Sequence, residues 1–325
     1  MLATGALSQV PHLDSLQLPV LAAPMFIVSG PELVIAQCRA GVIGSFPALN
    51  ARPMEVLDDW LAQICEGVSI PGGRRPFAVN QIVHKSNNRL DHDVELCVKY
   101  KVPIVITSLG SRRDVNEAIT AYGGIVLHDV INDRFAHKAI ENGATGLIAV
   151  AAGAGGHAGT LSPFALLREI RAWFDGPLIL SGSISHGASI LAAQAAGADL
   201  AYIGSAFIAT KEASAAEGYK QMIVDGSAAD ILYTNAITGV HGNYLVPSLV
   251  RAGFDPQNMP VGNPKEMNFQ SGGNMEAKAW RDIWGCGQGL GVIDEVKSSA
   301  DLVARLAAEY GAAREALKQS AFAYW

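Results

Sequence analysis

Eight times along the first two-thirds of this chain, a short β-branched or small apolar run leads into a loop carrying Gly, Ser or Asn and then into an Ala-rich amphipathic stretch. Period-2 and continuous apolar runs read as strands, and the 3.6-residue periodicity between them reads as helix. The candidate strands are Pro19–Ala23, Val42–Ser45, Phe77–Gln81, Ile104–Thr107, Ile125–His128, Leu147–Ala151, Leu178–Ser181 and Ala201–Gly204. Their starts lie about 20 to 35 residues apart, enough for the helical crossover that parallel neighbours require. Two doubly wound domains would show the same alternation. Eight consecutive units without a linker favour closure, so the expected fold is α/β, a (β/α)8 TIM barrel.

Helix boundaries are written in the sequence as well. Glu32–Arg39 follows Ser29-Gly30-Pro31, Met54–Cys65 follows Pro53, and Phe164–Phe174 follows Ser162-Pro163; proline is tolerated at a first helical position, where its missing N–H costs nothing. Gly41, Gly123, Gly143, Gly176 and Gly197 precede the next strands, the placement of a left-handed C′ glycine. After about Gly226 the alternation stops. A Gly- and Asn-rich segment runs through Thr234–Asn274 before a last helix near Ala300–Lys318. The expected organisation is therefore a barrel over residues 1–226 and a C-terminal extension, 227–325, packed on it and lying partly over its mouth.

Composition removes several functions. A formal charge of -6 with Lys and Arg scattered argues against a nucleic-acid partner. Cys38, Cys65, Cys97 and Cys286 stand far apart without a C-x-x-C pair, which argues against a zinc cluster or a disulfide scaffold. His84, His92, His128, His137, His186 and His241 show no metal-ligand spacing, so no metal is expected. No Lys or Arg precedes Arg39, as a signal peptide would need, and the apolar runs are too broken to span a membrane. A soluble cytoplasmic protein is the expectation, with its oligomeric state open to a homo-oligomer.

Strands seven and eight end in Ser181-Gly182-Ser183-Ile184-Ser185 and Gly204-Ser205-Ala206. In barrels the loops after these two strands commonly form a phosphate cradle, because glycine admits the oxygens to backbone N–H groups. Tight turns alone would produce the same residues. After strand six comes Gly153-Ala154-Gly155-Gly156-His157-Ala158-Gly159, whose first six residues fit the dinucleotide pattern G-x-G-x-x-A. A dinucleotide site needs those glycines to open a helix, yet Ser162-Pro163 begins it several residues later, and Asp175 precedes its next strand instead of ending it. In a barrel the glycines would let the backbone approach a flat ligand, with His157 positioned as a neutral base toward carbon or, protonated, as an anion contact. The bland alternative is a loop histidine bonded to backbone carbonyls. Asn80 and Gln81 end strand three, Ser108 strand four, and His128 and Asp129 strand five; each could line the cavity or make a structural hydrogen bond. Leu21-Ala22-Ala23-Pro24-Met25-Phe26 places small residues and then a thioether at the end of strand one, where a planar ring could lie, although Met25 and Phe26 could equally be core.

Taken together, Ala-Ala-Pro-Met at 22–25, Pro-Phe-Ala-Val-Asn at 76–80, Ala-Gly-Gly-His-Ala-Gly at 154–159, Ser-Gly-Ser-Ile-Ser at 181–185 and Ile-Gly-Ser-Ala-Phe at 203–207 resemble the nitronate monooxygenase (2-nitropropane dioxygenase) family of FMN-dependent barrels. The resemblance covers roughly Pro19 to Gly226. It implies FMN as cofactor, with Ala23 and Met25 bordering the flavin, Asn80 holding its phosphoribityl side, Gly155 and Gly156 approaching the ring, and Gly182, Ser183, Gly204 and Ser205 binding the phosphate. His157 matches the family's catalytic histidine. The implied reaction oxidises an alkyl nitronate or nitroalkane with O2, giving a carbonyl compound and nitrite. Many relatives have Gly-Gly where this chain has Gly182-Ser183, and some have lysine at Asp129; an acid there makes the flavin's surroundings less positive and disfavours an anionic reduced ring. The segment Thr234–Val246, with His241 and Asn243, is a candidate for the substrate side. Two rival functions remain open at this point: an NAD(P)H-dependent flavin reductase of a quinone or enoyl thioester, and a barrel that binds a phosphorylated ligand without redox chemistry.

Overall fold

The computed structural model describes residues 5–263 and 282–320. Its main sheet has eight parallel strands: β1 (Val20–Ala22), β2 (Gly44–Pro47), β3 (Phe77–Ile82), β4 (Ile104–Ser108), β5 (Ile125–Val130), β6 (Gly146–Val150), β7 (Leu178–Ser181) and β8 (Leu200–Ile203). Neighbours pair in chain order from β2 to β8, and β8 pairs with β1 through Leu21↔Tyr202. The circle closes between β1 and β2, where Ala22 N–H donates to Ile43 O at 2.8 Å and Ile43 N–H to Val20 O at 3.0 Å. The fold is a TIM barrel.

Seven helices follow the first seven strands: α1 (Pro31–Ala40), α2 (Val56–Gly67), α3 (Leu90–Lys99), α4 (Arg113–Thr120), α5 (Asp133–Glu141), α6 (Pro163–Arg171) and α7 (Gly187–Ala195). Proline stands at the start of α1 and α6, as expected. Gly41, Gly123, Gly143 and Gly197 adopt positive φ, whereas Gly176 does not. There the guanidinium of Arg171 binds the carbonyls of Phe174 and Gly176, so the chain end is satisfied by a side chain instead of a left-handed turn. After β8 come the four-residue helix Ser205–Ile208 and the helix Glu217–Val224. The last helix, Ser299–Lys318, packs against α7 and α1 and fills the eighth place in the helical ring.

Strand alternation divides the core in two. Leu21, Ile43, Ala78, Ile104, Ile106, Ile125, Leu127, Ile148, Ile179 and Leu200 fill the barrel interior, while Val79, Val105, Val126, Leu147, Ala149 and Leu180 face the helices. Leu7 and Val10, ahead of the first strand, join the interior cluster. The extension begins a second, small sheet: Ile231–Thr234 pairs antiparallel with Gly242–Leu245, which pairs with Gly156–His157 in the loop after β6. The Gly- and Asn-rich stretch extends into residues 264–281, which lie outside the described residues. Among the described residues no helix is long and apolar enough to cross a membrane, and no group of His, Cys, Asp and Glu could hold a metal ion.

Candidate active site

The interior positions change chemistry at the C-terminal ends of the strands. The parity that carries Ala78, Ile106 and Leu127 lower down carries Asn80, Ser108 and Asp129 at the top, joined by Ser181 and Tyr202. Above this polar floor lies a cavity of about 900 Å3. Ala23, Met25, Asn80, Gly155, Gly156, His157, Gly182, Ser183, Gly204 and Ser205 all line it, so residues scattered over more than half of the chain meet at one place.

On one side the wall is made of backbone. β7 runs into Gly182 at φ 141° and Ser183 at φ 54°, and β8 into Gly204 and the helix opened by Ser205. Such turns gather N–H groups into a concavity, in which the Ser183 N–H donates to Gly153 O at 3.3 Å. A Cβ added at Gly204 would lie 3.4 Å from Ala23 Cβ and 3.8 Å from Met25 Sδ, which places those three residues in one patch of wall. The extension closes over this cradle: Gly287 N–H donates to Ser205 Oγ at 2.9 Å and Gln288 N–H to Gly153 O at 2.9 Å. A Cβ at Gly287 would come within 2.8 Å of Gly153 O, so only glycine allows the two backbones this approach. Gly285, Cys286, Gly287 and Gly289 line the cavity beside it.

On the other side the wall is made of side chains. Gly156 and His157 are held as a strand edge against Asn243 and Gly242. His157 Nε2 lies 2.8 Å from Thr238 Oγ1, whose hydroxyl also approaches Val240 O at 3.0 Å. Donation of the hydroxyl to Val240 O goes with the tautomer in which Nε2–H donates to Thr238 and the lone pair of the imidazole is on Nδ1. Burial lowers the His157 pKa to about 4, which keeps the ring neutral at pH 7. Asn243 Nδ2–H donates to Ala154 O at 2.6 Å and Tyr233 O–H to Ala158 O at 2.9 Å, tying the glycine loop to the extension.

Asn80 donates its Nδ2 protons to Ile106 O at 3.3 Å and Ser108 Oγ at 2.8 Å, leaving its Oδ1 as acceptor. His128 both lines the cavity and bonds Thr107, Nδ1 to Oγ1 2.6 Å, and burial lowers its pKa to about 4. Gln81 has the same strand parity and binds Cys97 of α3. Of the segment thought to serve the substrate side, Ile237, Thr238, Val240 and Tyr244 line the cavity, while His241 stacks on Tyr233 and Asn243 works on the loop. The mouth carries apolar Ile27, Ile131 and Phe135, more than a third exposed, together with Arg52 and Lys138. Within Thr234–Val246 sequence reasoning singled out His241 and Asn243, not Thr238 or Tyr244, and it missed Trp284 and Cys286 as lining residues. The available signal was the spacing Gly285-Cys286-Gly287-Gln288-Gly289, a run of glycines with no helix or strand to end.

Residues 76–309 match the sequence model of the nitronate monooxygenase family. The chain belongs to that family. A nitronate monooxygenase of Paraburkholderia phytofirmans is 28% identical, over 98% of this chain and 99% of its own. Among solved structures, the nitroalkane oxidase of Streptomyces ansochromogenes is similar with a TM-score of 0.79 and 26% identity, covering 94% of this chain and 99% of that one. A variant of FabK from Thermotoga maritima is similar with a TM-score of 0.75 and 25% identity, covering 95% and 98%. Family membership makes the chain an oxidoreductase, and the cavity at the C-terminal face is where TIM barrels place their chemistry.

Proposed function

We propose that the chain is an FMN-dependent nitronate monooxygenase that oxidises a nitronate or nitroalkane with O2 to a carbonyl compound and nitrite. The observation that carries this reading is the placement of His157, neutral and oriented by Thr238, in the cavity that also contains the Gly182-Ser183 and Gly204-Ser205 cradle. The residues fit a flavin mononucleotide in two respects. The cradle offers turned backbone at Gly182, Ser183 and Gly204, and the cavity is within the size range of cofactor sites. Gly182, Ser183, Gly204 and Ser205 would hold the phosphate. Asn80, with its protons already donated, would accept from a ribityl hydroxyl. Ala23, Met25, Gly155 and Gly156 would border the ring. The bound flavin supplies the electron acceptor.

The protein supplies the proton chemistry and the enclosure. Nδ1 of His157 takes the α-proton of a neutral nitroalkane, and Thr238 Oγ1 accepts from Nε2–H so that the developing imidazolium keeps its partner. Residues 1–226 supply the cofactor site, and 227–325 complete it by fixing the histidine loop and covering the cradle. The second reading, an NAD(P)H-dependent reductase of a quinone or enoyl thioester, is favoured by the likeness to FabK. Anaerobic mixing separates the two. Bleaching of the yellow protein by a nitronate and not by NADPH is expected; bleaching by NADPH alone refutes the monooxygenase, and a colourless protein that does not take up FMN refutes both.

A further inference from the structure

Asp129 is the acidic side chain of the cavity lining among the described residues. It stands at the top of β5, on the parity of Ile125 and Leu127, so its carboxyl reaches the floor from inside the barrel. A directed relay ends on it: Asn80 Nδ2–H donates to Ser108 Oγ at 2.8 Å, and Ser108 O–H donates to Asp129 Oδ2 at 2.5 Å. With the Ser108 proton donated to Oδ2, the carboxyl oxygen open to a proton and to a ligand is Oδ1, the atom that is buried with no partner.

The surroundings disfavour a bare carboxylate. Beside Asp129 in register lies Ile148 of β6; Ser108 comes from β4, and Tyr202, the titratable group facing it, from β8. Burial holds the Tyr202 phenol neutral. His157, above β6, is neutral too, His128 of the same lining is held neutral by burial, and the cations of this cavity, Arg52 and Lys138, are exposed residues of its rim. Burial raises the Asp129 carboxyl to about 6, opposed only by the Ser108 hydrogen bond. An anion entering this floor meets the neutral Tyr202 phenol and a carboxyl poised to become a donor.

We propose that Asp129 recognises an anionic, oxygen-bearing head group such as a nitronate: its Oδ1 takes up a proton as the anion binds and donates it as a hydrogen bond to one of the anion's oxygens. The inference rests on the proposed function for the nature of the anion. It predicts proton-linked affinity, full below the carboxyl's pKa and falling as pH rises above about 6, toward tenfold per unit. A ligand offering N–H donors would show the opposite slope.

The test is calorimetric titration of the flavin-loaded protein with nitrite, which presents the O–N–O head of a nitronate and stays ionised throughout. It is run from about pH 5 to 8 in two buffers of different ionisation enthalpy. The expected result is weaker binding at higher pH, with close to one proton taken up per nitrite near pH 8. Asp129→Asn, of the same shape and always a donor, should bind at pH 5 within a few-fold of wild type and lose both the slope and the proton uptake. Affinity that is flat or rises with pH, an unchanged slope in Asp129→Asn, or no binding at pH 5 overturns the assignment. Proton-linked nitrite binding in a protein that nitronates fail to bleach would keep Asp129 and refute the monooxygenase; bleaching with pH-indifferent nitrite binding would do the reverse.

Discussion

At the ends of β7 and β8 the cavity wall is backbone, turned by Gly182, Ser183 and Gly204 within a few residues of the strands that carry them. At the end of β6 the wall is an imidazole whose partner hydroxyl lies 81 residues further along. The cradle needs only local conformation: positive φ at Gly182 and Ser183 turns the backbone within a few residues of β7. The histidine side needs an element from outside the barrel, because a glycine-rich loop has no means of fixing one rotamer and one tautomer by itself. One side of this site is shaped by its own turns, and the other by a contact with the extension.

Substitutions can break the two sides separately. Ser183→Asp should have the largest effect, loss of most bound flavin. Asp tolerates the left-handed conformation at 183, so the turn survives and only a repelling charge is added. Absorbance at the flavin bands after gel filtration checks this, and full occupancy would move the phosphate elsewhere. His157→Ala should keep its flavin and lose about 10²–10⁴-fold in turnover of neutral nitroalkane. In the wild type, kcat/KM for that substrate should be level near neutrality and fall only as acid protonates the base through about pH 4. A fall already centred above pH 6 would assign the base to another group.

Thr238→Val sharpens the comparison, since it deletes one hydroxyl on the extension and nothing on the barrel. Loss of a hydrogen bond worth about 1 kcal/mol corresponds to a fall in turnover of several-fold. Flavin content should be unchanged, Thr238→Ser should recover the activity, and 15N NMR of the histidine ring should show Nε2–H in wild type and mixed tautomers in the Val variant. An unmixed, wild-type spectrum in Thr238→Val would remove the orienting role. Asn50→Ala should have the smallest functional effect. Asn50 accepts from Ile27 N–H at 3.0 Å and donates to Met25 O and Ser29 O at 2.9 and 2.8 Å, and it holds Ile27 at φ 58°, an unfavourable conformation for a β-branched residue. Denaturant unfolding should show a loss of about 1–3 kcal/mol, with the phosphate cradle still loaded.

The eight strands were legible because β-branched runs and C′ glycines are local signals, and each strand was expected within a few residues of where it lies. Gly176 is the instructive exception. A glycine before a strand looks like a left-handed cap, but the carbonyls there are bound by Arg171, whose reach across the turn has no signature in spacing. The polar floor was only half legible. Asn80, Ser108 and Asp129 were placed at strand ends, yet what separates Asp129 from His128 is parity, and parity becomes meaningful once the interior residues of the same strand are known. The Thr238 contact and the Cys286-Gly287 cover could not be read, because they join the loop after β6 and the start of the short helix after β8 to residues far along the chain.

By itself the sequence determined the barrel, the turned backbone at the ends of β7 and β8, and the presence of a histidine among glycines, since each follows from conformational preferences over a few adjacent residues. Only the tertiary structure decided that Nε2 of His157 faces Thr238, that Oδ2 of Asp129 faces Ser108 while Oδ1 has no hydrogen-bond partner, and which segment covers the cradle. These depend on where side chains and backbones meet across long separations, and chain order does not encode them.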